Sequence, residues 1–271
     1  MPLRHAWHAR LVRLHVNELM NLLSGFADIS LAQLLLVAGV ALIAAVIGGV
    51  SGYGNGALMP LVLVPMIGAA PVVPIIAIAA LFNNFGRVSA FFKFLDRRRA
   101  ALGIAASLPT CVLGAWGYTY LTGKGAALVI GSMLILSVPL RRLLKHHNVR
   151  VDDRGFTFGA VGYGVVVGGT AGSGVIMLSL LMAAGLEGAA VVATDASISI
   201  AVSVVKVLVF GLSGVLTAQT VALALLIGVI AFPGAFLARL LVERMPVHVH
   251  SAILDAVVLL GGVFLVYGAV R

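Results

Sequence analysis

The stretch Gly48-Gly-Val-Ser-Gly-Tyr-Gly-Asn-Gly56 interrupts an apolar segment with five glycines. About 120 residues downstream the chain repeats the device as Gly168-Gly-Thr-Ala-Gly-Ser-Gly174. Each break leads into a short apolar piece and then a long one with a cation deep inside it, Arg87 in the first half and Lys206 in the second. Unwound backbone at membrane depth is tolerated only where it lines a cavity or is buried in protein, and duplicated breaks of this kind mark transporters. The pattern predicts a protein that moves a solute across a membrane.

Composition agrees. Of 271 residues, 61% are hydrophobic and 10% charged, with a mean hydropathy of +1.14; a water-soluble surface cannot be built from that mixture. The apolar runs are about 20 residues long, enough to span about 30 Å of hydrocarbon as helices. The net charge of +9 does not point to nucleic acid, because the basic residues gather at segment ends, where they set membrane orientation. The single cysteine, Cys111, excludes a disulfide framework or a thiolate metal set. Residues 1–30, with Arg4, Arg10 and Arg13, read as a cytoplasmic lead-in without a cleavage site.

The expected fold is an all-α integral membrane protein of about eight transmembrane helices. In the first repeat (31–140) the crossings are 31–50, 71–95, 100–121 and 125–140, with 57–68 too short to cross and suited to a re-entrant half-helix. A cytoplasmic linker, 141–155, leads to the second repeat (156–271), with crossings 156–171, 189–211, 217–240 and 251–270 and a re-entrant piece at 175–186. With both termini cytoplasmic, thirteen basic residues collect inside, among them Arg97, Arg98, Arg99, Arg142 and Arg271, against Lys124, Arg239 and Arg244 outside. Four crossings per repeat make the halves parallel copies about an axis along the membrane normal. Gly48, Gly52 and Gly56, and Gly164, Gly168 and Gly172, form two ladders of small residues for close helix approach.

Chemistry concentrates on the long helix after each break. Asp195, Ser199, Ser203 and Lys206 share one helical face, as do Asn83 and Arg87, with Asn84 beside them. One reading has Arg87 and Lys206 converge on an anion, helped by the positive ends of the half-helices that start near Ala57 and Val175. The other has both cations snorkel to the cytoplasmic interface. Gly54, Asn55 and Gly56 in the first break, and Gly172, Ser173 and Gly174 in the second, are candidate substrate contacts or plain turn residues. Asp195, placed toward the outer face, is either a proton-coupling carboxylate or a helix-stabilising one. All seven histidines fall in expected extramembrane segments, which leaves metal transport without support, and no cofactor is implied.

Gly52-Tyr-Gly-Asn-Gly-Ala-Leu-Met-Pro60 and Gly185-Leu-Glu-Gly-Ala-Ala-Val-Val-Ala-Thr194 resemble the glycine-rich turn ending in proline, and the second-repeat segment running into Ala-Thr-Ser, of the sulfite exporter TauE/SafE family. The likeness of plan runs from Leu31 onward, with Asp195 standing where the family often has serine. It implies a bacterial inner-membrane carrier of sulfur-containing anions such as sulfite or sulfonates, driven by ion gradients, and it draws Thr194 into the candidate substrate site.

The residues themselves lead to a secondary carrier of small anions whose two repeats rock around a site at the glycine breaks. An anion channel with the same cationic vestibule, or a carrier of non-sulfur anions, is the alternative. An enzyme is not expected, since the spans offer serines and an aspartate but no histidine. No Walker A loop is present to drive transport by nucleotide hydrolysis. The expected partners are the anion and the lipid bilayer, with no nucleic acid; a homo-oligomer is compatible with the sequence.

Overall fold

The computed structural model describes residue 20 and residues 22–51, 54–146, 150–242 and 247–271. Residues 1–19 and 21 of the N-terminal lead-in, Gly52, Tyr53, His147 and Arg244 lie outside the described residues. Within them the chain is helical with no strand. In order the helices are α1 (Leu31–Ser51), α2 (Gly54–Ile67), α3 (Val72–Phe91), α4 (Arg97–Thr119), α5 (Gly123–His146), α6 (Asp153–Gly169), α7 (Gly174–Ala183), α8 (Gly188–Leu212), α9 (Ala218–Val242) and α10 (Val247–Val270). Six of them, α1, α3, α4, α5, α8 and α9, contain stretches long and apolar enough to cross a membrane, whereas α2 and α7 are short apolar helices.

Capping decides several boundaries. The Asp96 carboxylate accepts from Arg99 N at 2.9 Å and starts α4, and Asp152 does the same for α6 through Gly155 N at 2.8 Å. Gly172, at φ +81°, turns the chain between α6 and α7 in a conformation that favours glycine.

Cross-contacts fix the helix directions. The end of α3 meets the start of α8, where Arg87 pairs with Asp195 at 3.0 Å and Asp96 N donates to Thr194 Oγ1 at 3.1 Å. At the opposite end of the bundle Tyr118, closing α4, donates to Ala69 O at 2.9 Å and packs edge-on against Phe210 near the end of α8. Hence α3 and α8 run antiparallel. The α6–α7 hairpin starts beside α4 through the Arg99–Asp153 pair at 2.6 Å and returns to the same end, where Val151 N donates to Ala183 O at 2.9 Å. The α1–α2 hairpin enters from the other end: Gly25 abuts Ala218 and Ala222 at the start of α9, and Ala45 abuts Gly234 further along it.

The corresponding helices α3 and α8 therefore run in opposite directions, which does not fit the parallel copies expected from sequence. The physical reason is the hairpin. Each broken pair returns to the end it came from, so only three further helices traverse each half, and an odd count starts the second copy at the opposite end. Other placements shift with it. Asp195 lies toward the end carrying Arg97, Arg98 and Arg99, here called the basic end, and not toward the opposite one. Helix α10 starts near Arg142, which pairs with Asp255 at 3.2 Å, so Arg271 ends opposite the cluster with which it was expected to group. Arg239, in the last turns of α9, joins the basic end instead.

The sequence halves interleave in space. Helix α4 packs along α6 and α8, α9 packs along α1 and α3, and α5 lies against α10. Small residues allow the tightest of these approaches: a Cβ on Gly164 would collide with Thr110 and Ser107, and one on Gly168 with the Cys111 carbonyl. Gly168→Val is expected to destabilise the detergent-solubilised protein by about 1–3 kcal/mol through overpacking. Gly162→Ala, where nothing lies within 4 Å, should be neutral or stabilising by up to about 1 kcal/mol. Thermal unfolding followed by intrinsic fluorescence compares the two, and equal melting temperatures would remove the close-packing role.

Candidate functional site

The two hairpins enter from opposite ends and touch at their tips, where a Cβ on Gly56 would lie 2.9 Å from Gly172 N. Helix α2 begins at Gly54 and α7 at Gly174, so two helix N-termini open on the same spot. The first N–H groups of a helix have no intrahelical acceptor, and the helix dipole adds partial positive charge there. Between the tips, α3 and α8 lies a cavity of about 100 Å³.

Most of the candidate residues meet there. Gly54, Asn55, Gly56, Asn83, Asn84, Gly172, Ser173, Gly174 and Lys206 line the cavity; Arg87, Thr194 and Asp195 do not. Ser199 and Ser203, on the face counted from Asp195, line it as well. Asn55 is buried with both amide atoms lacking a hydrogen-bond partner among the described residues, as is Asn83 Oδ1. Each such group forgoes about 1–3 kcal/mol until something meets it.

The cations do not snorkel. Arg87 is 1% exposed and Lys206 4%. Lys206 Nζ donates to Val167 O at 2.7 Å and Thr170 O at 3.1 Å, satisfying carbonyls that the end of α6 leaves free. It remains a cavity-lining cation with no carboxylate hydrogen-bonded to it among the described residues. Arg87 is held differently: Nη1 donates to Asn84 Oδ1 at 2.8 Å and to Asp195 Oδ2 at 3.0 Å, while Nε, Nη2 and Asp195 Oδ1 have no partner among the described residues. Along α3 and along α8 this ion pair sits about one turn nearer the basic end than the cavity lining. Thr194 has a bracing role, since its hydroxyl accepts from the backbone of Asp96, the cap of α4.

Several lining residues were not singled out from sequence: Tyr163 and Val167 on α6, Thr170 and Ala171 at the tip, Ile76, Ala77 and Ala80 on α3, and Val202 on α8. Ile76, Ala80 and Asn83 recur at helical spacing on the face of Arg87, so that face could have been extended. Tyr163 carries a signal of its own, a phenol in an otherwise glycine- and valine-rich helix.

The comparisons bear on this arrangement. No match is found among curated proteins or among solved structures. A sequence model of the family described as "Sulfite exporter TauE/SafE" matches residues 37–265, which takes in both hairpin tips and every residue lining the cavity. Two broken hairpins meeting inside an apolar helical bundle, with that match running almost from end to end, identify the chain as a member of the sulfite exporter TauE/SafE family of membrane transporters.

Proposed function

We propose that this protein is a secondary carrier of small anions, most concretely sulfite and related sulfur oxyanions, which bind in the cavity between the hairpin tips. The observation that carries the reading is the buried Asn55 amide at the first turn of α2, unpartnered among the described residues and lining, with the N-terminus of α7, a cavity that also holds the Lys206 ammonium. Two sets of free N–H groups, an amide donor and a cation form an anion-binding set. Gly54, Gly56, Gly172, Ser173 and Gly174 let the backbone approach the oxygens, and Asn83 and Asn84 complete the wall.

A carrier is favoured over a channel by what lies at either end of the cavity. The buried Arg87–Asp195 pair stands on the basic side, and Tyr118 packed on Phe210 stands on the other. In this reading α3, α4, α5, α8, α9 and α10 cross the membrane, and the α1–α2 and α6–α7 hairpins re-enter from opposite sides, so the count of eight crossings expected from sequence is not kept. The moving bodies differ from the sequence repeats: α1, α2, α3 and α9 form one, and α4, α6, α7 and α8 the other. They meet along α3 and α8 and at the tips.

Coupling falls to Asp195, the buried carboxylate nearest the cavity, which can take a proton when it leaves Arg87. The basic end faces the cytoplasm of a bacterial inner membrane, in keeping with the excess of Lys and Arg there. The C-terminus, and the start of α1, then face the other side.

Binding of sulfite to purified protein, measured by isothermal titration calorimetry, should weaken about 10- to 100-fold in Lys206→Ala, the loss of a charged hydrogen bond. Asn55→Ala should weaken it several-fold while raising the melting temperature of the ligand-free protein, because an unsatisfied amide is removed. Unchanged binding in both variants would discard the site. For orientation, alkaline phosphatase fused after Arg271 should be active and a fluorescent protein fused there dark; the reverse pattern would place the basic end outside. For coupling, Asp195→Asn should abolish accumulation of labelled sulfite driven by a pH gradient yet keep sulfite–sulfite exchange, and gradient-driven uptake that survives would remove the coupling role.

A further inference from the structure

The repeat is broken at one functional position. Arg87 and Lys206 occupy matching places on α3 and α8, but Asp195, which pairs with Arg87, has Ile76 at its matching place on α3. One cation of the duplicated pair is thus matched by a carboxylate, while the other, Lys206, rests on carbonyl oxygens and lines the cavity. The matched pair is incompletely satisfied: Arg87 Nε and Nη2 and Asp195 Oδ1 are buried and unpartnered among the described residues. A guanidinium can offer a fork of donors to a carboxylate, and here it offers Nη1 alone to one oxygen. The pair is not built as a tight structural clamp. Its link to the cavity is Asn84, which lines the wall and accepts from the same Nη1.

We propose that Asp195 is a tethered stand-in for the transported anion: its carboxylate holds Arg87 out of the cavity and seals the basic end, and an oxyanion in the cavity competes with it for the Arg87 guanidinium. This rests on the cavity being the anion site and assigns to that site its second cation and its internal competitor. A carboxylate and a sulfur oxyanion present similar oxygens to the same fork. Displacement would free Arg87 to follow Asn84 into the cavity and would part the ends of α3 and α8 that the pair holds together. Asp195 is in this sense a positioning residue, acting on the anion through Arg87.

The sign of the effect separates this role from others. If Asp195 competes, Asp195→Asn tightens sulfite binding in calorimetry by tenfold or more, the scale of one charged hydrogen bond regained, and Arg87→Ala added to Asp195→Asn erases the gain. Binding that is unchanged or weaker in a folded Asp195→Asn protein overturns the proposal. A second readout needs no ligand. In a Cys111→Ser background, a cysteine placed at Ser199 should react with a membrane-impermeant maleimide from the basic side several-fold faster when Asp195→Asn is added, and an equal rate overturns the seal. Should Asp195→Asn fail to fold, the apolar pair Arg87→Met with Asp195→Leu takes its place. Competition predicts that this protein binds sulfite more weakly than the parent does, because the second cation is gone, whereas a purely structural pair predicts parental affinity. If the parent itself binds no sulfite and Lys206→Ala changes nothing, the cavity reading fails first, and the maleimide rates alone judge the seal.

Discussion

Backbone polar groups in hydrocarbon must find partners, and this fold is arranged around the two places where helices stop short of satisfying them. At each tip the last carbonyls of one helix and the first N–H groups of the next are released inside an apolar bundle. The carbonyls at the end of α6 are met by Lys206. The N–H groups at the starts of α2 and α7 face each other across the cavity, where nothing of opposite charge lies among its lining residues. The division is chemically one-sided at the second tip, where the protein supplies its own cation for the acceptors, while the helix-start donors of both tips face the cavity. An anion is what that remainder asks for.

The buried Arg87–Asp195 pair belongs to the same balance. Removing either member of a buried pair strands the other, typically at about 3–5 kcal/mol, although an apolar replacement of both is often tolerated. Such a pair is poor evidence for stability. It is better evidence for a choice between arrangements, and its position, one turn beyond the cavity on both α3 and α8, puts that choice at the mouth of the site.

Much of this was legible in the sequence. The paired glycine breaks gave the hairpin tips, and the cation after each break singled out Arg87 and Lys206, with burial and snorkelling both open until the structure showed them buried. Asn55, Ser173 and the flanking glycines were legible because a polar residue set among glycines inside an apolar run has few other uses. The direction of the second half was not. Helix α1 is long and apolar enough to cross by itself, so hydropathy counts it as a separate traverse and gives no sign that α2 carries the chain back. Charge counting was equally blind, since reversing the second copy moves few basic residues while Arg97, Arg98 and Arg99 dominate either tally. The ion pair was hidden for a related reason: its members are 108 positions apart and meet only because α3 and α8 run in opposite directions. Asp195 was legible as an important carboxylate but not as the partner of Arg87.

The exchange of α4 and α9 between halves also governs how the molecule is made. Helix α1 packs its length against α9, yet Ala218 emerges from the ribosome long after Leu31 has entered the bilayer. Until then the groove between α1 and α3 has no occupant but lipid. The second hairpin has no such wait, because α4 is already inserted when α6 is synthesised and can receive it at once. Assembly therefore runs backwards relative to the order of translation, the later hairpin docking first and the earlier one completing last. Contacts spanning so much chain make for slow maturation, and a chain truncated before α9 would carry a finished second hairpin beside an open first one.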